Sequence, residues 1–242
     1  MFNYNTDIED ILLEARESIF INKGYFVIPN YINNSTLVDL QKFWINPKLK
    51  YQFHDKIDNR DVSFLSPPYS IIGSNASDIA YCTGIWNEPI DCVTHEIAIS
   101  VAISRNLING LPIYNSIVSP SEWLLQYRVC RTCSNGISVG RHKDFMQEFR
   151  RDPTGSHEYD PSRLQATLLL STQGVDFQSG GFYIEAFGKE LFTDQMGAKA
   201  GDLIIWRYNL SHGVKDTKLE SSNQIGFLRI IYPLFQMDNQ NV

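Results

Sequence analysis

The sequence predicts one mainly β domain with flanking helices, in which an α-rich half packs on an antiparallel sandwich or barrel. Two observations predict this class. From Trp123 onward, short apolar runs alternate with turn residues, whereas in the first 106 residues apolar side chains recur at helical spacing. A chain of 242 residues fits one all-β or mixed domain. We therefore expect a single domain over 1–242, with an α-rich half and lid-like loops at 1–120 and the β core at 121–236.

Composition excludes several classes of protein. The chain has 21 Lys and Arg against 27 Asp and Glu, a net charge of −6, and 43% of its residues are hydrophobic. This is the profile of a globular protein, and it lacks the basic stripe of a nucleic-acid binder. No apolar run reaches the roughly 18 residues that span a bilayer, and the acidic first ten residues do not resemble a signal peptide. We expect a cytoplasmic protein.

The N-terminal segment predicts a helix followed by a strand. Apolar residues recur at helical spacing over 8–20, and Gly24 ends the helix. Residues 25–28 are all aromatic or β-branched and predict a strand, which Pro29 stops.

Two further helices are predicted, on either side of a long loop region. Asn34 and Ser35 are typical helix caps ahead of a helix at 36–44. Residues 46–90 are rich in Asp, Ser, Pro, Asn and Gly and predict loops that form a lid or an entrance. Residues 94–106 again show helical spacing.

The second half predicts a series of antiparallel strands. Each apolar run is short and is bounded by turn residues. The runs are 123–130, 137–145, 164–171, 181–186, 202–208 and 224–232.

His142 and Asp144 are separated by one residue on a predicted strand. Because successive strand side chains alternate between faces, both point the same way and can bind one metal ion from one side. A surface pair with no ligand remains the alternative, since such pairs are common.

His212 is predicted to face the protein interior. Counting back from it in steps of two gives a largely apolar face: Leu210, Tyr208, Trp206 and Ile204. A buried histidine needs partners for its ring nitrogens, and a metal ion or a core hydrogen bond both meet that need. Trp206 on this face is a candidate for lining a substrate pocket or for ordinary core packing.

Arg229 shares a face of the last strand with Ile225, Phe227 and Ile231. A guanidinium among apolar side chains is costly unless an anion meets it, and arginine is suited to bidentate binding of a carboxylate. That carboxylate belongs either to a ligand or to the protein itself.

Two histidines and one carboxylate form the facial triad of non-haem Fe(II) oxygenases. The three protein ligands occupy one octahedral face and leave three positions open. A 2-oxo acid can chelate through two of these positions and O2 can take the third, with Arg229 on the far carboxylate of the co-substrate.

The chain from about Tyr127 to Phe235 resembles the 2-oxoglutarate and Fe(II)-dependent dioxygenase superfamily, most of all its phytanoyl-CoA and prolyl-hydroxylase-like branches. The opening segment 24–32 is similar to the first strand of that family. The other matching segments are 141–144, 179–184, 201–206 and 210–214.

The resemblance implies a double-stranded β-helix core, a jelly-roll fold of the cupin-like kind. It implies His142, Asp144 and His212 as the iron ligands, with Fe(II) as cofactor and 2-oxoglutarate as co-substrate. It implies Arg229 as the 2-oxoglutarate anchor and Tyr127, on the strand before the histidine–aspartate pair, as a hydroxyl donor to it. Tyr127 as an ordinary core residue remains the alternative.

The function implied is hydroxylation of a C–H bond of a small molecule, amino-acid-like or a natural-product intermediate, with O2 consumed and succinate and CO2 released. Asp144 argues against a halogenase of this family, which needs a small residue there. The alternatives are a peptidyl or protein hydroxylase and a non-catalytic jelly-roll binding protein.

Four cysteines leave three interpretations open. Cys130 and Cys133 form a CxxC pair, and Cys82 and Cys92 are ten residues apart instead of three. Structural zinc, a redox pair and free thiols are all consistent with this pattern, and we expect free thiols, since cysteine packs well in apolar runs.

Overall fold

A computed structural model describes residues 7–45, 69–72, 79–87, 89, 91–118, 123–133, 138–144, 164–221 and 224–236. Three helices and two antiparallel sheets make up this part of the chain. The helices are α1 (Asp7–Arg16), which continues into a π-helical turn (Glu17–Asn22), α2 (Asn34–Ile45) and α3 (Cys92–Asn109). The strands are β1 (Tyr25–Ile28), β2 (Tyr69–Ile72), β3 (Ile79–Gly84), β4 (Trp123–Thr132), β5 (Val139–His142), β6 (Leu164–Leu169), β7 (Ser179–Ala186), β8 (Lys189–Phe192), β9 (Leu203–Arg207), β10 (His212–Lys218), β11 (Phe227–Ile231) and β12 (Leu234–Gln236). None of these helices is long and apolar enough to cross a membrane.

The strands form a larger and a smaller sheet. The larger sheet runs in the order β1-β9-β6-β11-β4-β3-β2, with β12 paired to β4. The smaller sheet runs in the order β5-β10-β7-β8. Some strands that follow one another in sequence, such as β9 and β10, lie in different sheets, as in a jelly roll. The predicted mainly β fold with flanking helices is confirmed.

The core has two layers because the larger sheet is buried on both faces. In β6, Leu168 packs on the side of the helices and Leu169 faces the smaller sheet. All six residues of β6 are buried, which explains why its sequence shows no polar alternation. Strands β5 and β10 of the smaller sheet border the layer between the two sheets, and the candidate site lies in this layer.

The predicted N-terminal elements are present with small differences in their ends. The helix predicted at 8–20 and the strand predicted at 25–28 correspond to α1 with its π-turn and to β1. The cap of α2 is Asn33, one residue earlier than predicted. Its Oδ1 accepts the backbone N–H of Thr36 at 2.9 Å, whereas Asn34 already lies in the helix.

The loop prediction for 46–90 is wrong for two segments, β2 and β3, which extend the larger sheet. Both strands are short and stand among turn-forming residues, so the composition of the whole region hid them. β3 pairs with β4 from Ile79 opposite Arg131 to Gly84 opposite Gln126. The lid prediction for the rest of 46–90 falls largely outside the described residues.

Gly180 in β7 allows a close approach of β7 to β10. Its φ is +90°, and a Cβ there would lie 2.0 Å from the backbone oxygen of Asp216. We expect Gly180→Ala to lower the free energy of unfolding by about 2–4 kcal/mol, because strain and a backbone clash add. Urea unfolding checks this.

Gly188 is the matched control, with a φ of +72° and nothing within 4 Å of the added Cβ. Gly188→Ala introduces backbone strain without a steric clash. We expect it to lower the free energy of unfolding by about 1 kcal/mol. Equal losses for the two variants would contradict the account of Gly180.

Candidate metal centre

Strands β5 and β10 place two histidines opposite each other. His142 and His212 are Cα partners in the antiparallel ladder, and their ring centroids are 4.3 Å apart. Asp144 follows β5, where its backbone N–H donates to the Tyr208 carbonyl at 3.2 Å. Its two carboxylate oxygens lie 3.7 Å from His142 Nε2 and 3.5 Å from His212 Nε2.

The three side chains converge on one point. One ligand atom from each of His142, Asp144 and His212 lies within 4.8 Å of the others, close enough for a single ion. No other group of three or more metal-ligating side chains meets this test in the described ranges.

Backbone carbonyls set the tautomer of both imidazoles. His142 Nδ1 is 2.8 Å from the Gly140 carbonyl, and His212 Nδ1 is 2.9 Å from the Leu210 carbonyl. Since a carbonyl oxygen only accepts, Nδ1 carries the proton in each ring and the Nε2 lone pair is left for a metal. Burial lowers the pKa of His212 and outweighs the opposing effect of Asp144. The lowered pKa favours the neutral form of His212, which is the form that binds metal.

The triad opens into a cavity of about 260 Å³ between the two sheets. The wall is mixed, with aromatic, amide and guanidinium groups beside the triad. Among its lining residues are Arg128, Gln165, Phe182, Trp206 and Arg229.

Arg229 lines the same cavity, as the sequence predicted for its face. Its side chain is 7% exposed, and its guanidinium carbon lies 5.4 Å from the Phe182 ring and 5.0 Å from the Phe227 ring. Burial lowers its pKa. No carboxylate of the described chain pairs with it, which speaks against the structural ion pair considered above. Ile225 lies before β11 and packs with the helix-side core instead.

The predicted role of Tyr127 is contradicted. It lies on the opposite face of β4 from Arg128 and packs in the helix-side core, where its ring centroid is 6.1 Å from that of His95 on α3. Side chains alternate along a strand, so the inward position belongs to its neighbour. Tyr127 therefore does not reach the cavity, and its alternative as a core residue is the correct one.

His212 faces inward for a different reason from the one its sequence spacing gave. The chain turns at 208–210, so β9 and β10 are separate strands in separate sheets. Trp206 from β9 and His212 from β10 still meet, with ring centroids 5.4 Å apart. His212 faces inward as predicted. The count in steps of two does not apply, however, because β9 and β10 are separate strands.

Sequence reasoning missed two cavity residues. Neither Arg128 nor Gln165 is predicted from the sequence to line the cavity, and both do. The inward position of Arg128 could be predicted from the alternation of side chains along β4. Leu125, Tyr127 and Val129 form one apolar face, so the even-numbered residues lie on the other face. The inward position of Gln165 could not be predicted in this way, because both faces of β6 are buried.

The cysteines are free thiols. Cys130 is the Cα partner of Arg229, and Cys92 is exposed at the start of α3. Burial raises the pKa of the Cys130 thiol, against the effect of Arg229. The zinc and redox interpretations gain no support from these positions.

Comparison with solved structures identifies the fold. The prolyl-4-hydroxylase of Pseudomonas putida matches with a TM-score of 0.52 at 10% identity, over 94% of this chain and 100% of that one. The non-haem α-ketoglutarate-dependent epimerase SnoN from nogalamycin biosynthesis matches with a TM-score of 0.51 at 10% identity, over 94% and 83%.

HygX from Streptomyces hygroscopicus, crystallised with nickel, 2-oxoglutarate and hygromycin B, has a TM-score of 0.51 at 14% identity, over 92% of this chain and 85% of that one. No protein-family model and no curated protein matches the sequence. The chain therefore has the jelly-roll fold of the 2-oxoglutarate and Fe(II) oxygenases, which confirms the predicted core. Identities of 10–14% show a shared fold and not a shared reaction.

The triad predicts a single site for a divalent ion. Calorimetric titration with Co(II) under anaerobic conditions should give one site in the wild type. We expect His212→Ala to weaken it by more than about 100-fold, since even residues that only orient a ligand are worth 10–100-fold.

His95→Ala on α3 is the control, because this histidine lies outside the cavity. It should leave the affinity for Co(II) unchanged. Tight binding by the His212→Ala protein, or its loss in the His95→Ala protein, would refute the assignment of the site.

Proposed function

We propose that this protein is an Fe(II)- and 2-oxoglutarate-dependent oxygenase that hydroxylates a C–H bond of a small molecule and releases succinate and CO2. The substrate we propose is amino-acid-like or a natural-product intermediate. One observation carries the proposal: His142, Asp144 and His212 converge in the same cavity as a buried arginine with no carboxylate partner in the described chain.

The donor set fits Fe(II). Two neutral imidazoles and one carboxylate are the ligands of non-haem Fe(II) oxygenases, and they leave coordination positions for a co-substrate and O2. A structural zinc site would close with a fourth protein ligand. When bound, Fe(II) with 2-oxoglutarate and O2 supplies the oxidising power that breaks a substrate C–H bond.

Arg229 is suited to holding the distal carboxylate of 2-oxoglutarate. Its charge lies in a water-poor interior, where a charge-assisted hydrogen bond is strong and an unmet guanidinium is costly. The rings of Phe182 and Phe227 flank the guanidinium and limit its orientations. Arg229 would hold this carboxylate in the same cavity as the triad.

The walls of the cavity keep water from the reacting groups. His212 is 6% exposed and Trp206 is 2% exposed, and the Phe182 ring lies 5.0 Å from that of Trp206. The volume of about 260 Å³ is near the lower end for small-ligand pockets. This size supports a small substrate in preference to a protein segment.

Asp144 supports hydroxylation or a related oxidation. Its carboxylate occupies the position that a halogenase of this fold leaves to a halide ion, as the resemblance implies. Desaturation and ring closure use the same oxidising centre and stay within the proposal.

Succinate release is the direct test of the proposed reaction. With Fe(II), 2-oxoglutarate and O2, the protein should form succinate faster in the presence of a suitable substrate. Under anaerobic conditions, the Fe(II) protein should gain a visible charge-transfer absorption when 2-oxoglutarate is added. Iron binding without this absorption and without succinate would favour a jelly-roll binding protein.

Arg229→Ala should raise the KM for 2-oxoglutarate by about 10- to 100-fold, because charge-assisted hydrogen bonds contribute about 1.5–3 kcal/mol. Steady-state succinate release over a range of 2-oxoglutarate concentrations measures it. Arg141→Ala is the control, since Arg141 is exposed and pairs with Glu185 outside the cavity. A normal KM in the Arg229→Ala enzyme would show that the anchor lies elsewhere.

A further inference from the structure

Two buried polar atoms at the cavity lack a hydrogen-bond partner. Gln165 is 4% exposed and Trp206 is 2% exposed, and both residues line the cavity. Neither Gln165 Oε1 nor Trp206 Nε1 makes a hydrogen bond. By contrast, the hydroxyl of Thr167 on the same strand donates to the Ile230 carbonyl at 3.1 Å. Because buried polar atoms are almost always paired, two unpaired atoms at one cavity indicate a ligand that pairs with both.

Gln165 and Trp206 lie side by side next to the metal triad. They are Cα partners in the β6–β9 ladder, so their side chains leave the same face of the sheet together. The amide oxygen accepts a hydrogen bond and the indole N–H donates one. The Trp206 ring is 5.4 Å from the His212 ring. The pair therefore presents one acceptor and one donor beside the proposed metal site.

The pair is far from the arginine that we assign to the co-substrate. Arg229 is the Cα partner of Leu169, and Leu169 is four residues from Gln165 along β6. At about 3.3 Å per residue, this separates the two positions by roughly 13 Å along the strand. A 2-oxoglutarate held by Arg229 thus leaves the Gln165 end of the cavity for the substrate.

The chemistry of the pair favours a hydroxyl group over an ion. An ammonium group only donates and a carboxylate only accepts, so either would leave Gln165 Oε1 or Trp206 Nε1 unpaired. A trans amide does both, but its N–H and C=O point in opposite directions. A hydroxyl donates and accepts at a single oxygen, which suits two groups that lie side by side. Arg128 and Lys143 also line the cavity, and each already interacts with another group of the protein.

The neighbouring wall of the cavity is apolar. After β11 the chain continues alongside β6, where the Tyr232 N–H donates to the Ala166 carbonyl at 3.0 Å. The residues on either side of Tyr232, Ile231 and Pro233, line the cavity, and so does Leu234. Such a wall suits a hydrocarbon skeleton, with the few polar groups fixing its orientation.

We propose that Gln165 and Trp206 form a substrate subsite that binds one hydroxyl group of a neutral, mainly hydrocarbon small molecule. This assignment rests on the proposed oxygenase function. The substrate hydroxyl donates to Gln165 Oε1 and accepts from Trp206 Nε1. Because the pair lies beside the triad, this hydroxyl anchors the substrate next to the metal site.

The probe is a panel of small neutral alcohols with acyclic, cyclic and aromatic skeletons, such as cyclohexanol and benzyl alcohol, each paired with its methyl ether. Two readouts follow each compound: the change in the anaerobic absorption of the Fe(II)·2-oxoglutarate protein, and the stimulation of succinate release in air. We expect at least one alcohol to act at concentrations about tenfold below its ether, because the ether cannot donate to Gln165. Silence of every alcohol, or equal action of alcohols and ethers, overturns the proposal.

Gln165→Leu and Trp206→Phe separate the two hydrogen bonds. An ether oxygen still accepts from Trp206 Nε1 but donates nothing to Gln165 Oε1. We therefore expect Gln165→Leu to raise the KM for the active alcohol about tenfold and to leave that for its ether unchanged. Trp206→Phe should raise both KM values by about the same factor. A preference for the alcohol that persists in the Gln165→Leu protein would show that the pair binds only water, and it refutes the subsite.

Gln173→Leu is the matched control, at another glutamine whose Oε1 has no partner but which lies outside this cavity. It should keep the preference for the alcohol, and its loss there would overturn the assignment to Gln165. Leucine removes an unpaired buried amide, so Gln165→Leu should have an unchanged or higher Tm. In both glutamine variants 2-oxoglutarate should still produce the charge-transfer absorption. Loss of that absorption in the wild-type protein would instead refute the proposed function, so the two failures are distinct.

Discussion

The register between β5 and β10 is the constraint on which the site depends. His142 and His212 are Cα partners, and a slip of one residue would send one imidazole to the outer face of the sheet. Gly213 makes this register sterically feasible. A Cβ at that position would lie 2.7 Å from the Tyr183 hydroxyl and 2.8 Å from the Val139 carbonyl. The glycine beside the second histidine thus lets three strands close around the ligands.

The layer between the sheets contains buried polar groups that have no hydrogen-bond partner within the described protein. Arg229, Gln165 and Trp206 are each less than a tenth exposed, and Gln165 Oε1 and Trp206 Nε1 lack hydrogen-bond partners. Each such group costs free energy in the unliganded fold. A ligand that forms hydrogen bonds with these groups offsets this free-energy cost. Ligand binding in the cavity therefore raises the free energy of unfolding.

Much of the site could be predicted from sequence because its signals are local. The spacing of His142 and Asp144, and an arginine on an otherwise apolar strand face, both follow from side-chain alternation. The Tyr127 prediction failed because alternation fixes a period but not its phase, and on β4 the inward phase belongs to Arg128. The position of Gln165 in the cavity could not be predicted because β6 is buried on both faces. The strands β2 and β3 were missed because they are short and their pairing partners are distant in sequence.

The central claim is that one metal ion is bound by two imidazoles and a carboxylate. X-ray absorption spectroscopy at the iron edge, on protein loaded anaerobically with one equivalent of Fe(II), tests it most directly. The account predicts that only nitrogen and oxygen atoms surround the iron, with the multiple-scattering signature of two imidazoles. A sulfur neighbour from Cys82 or Cys130, or a spectrum with fewer than two imidazoles, would contradict it.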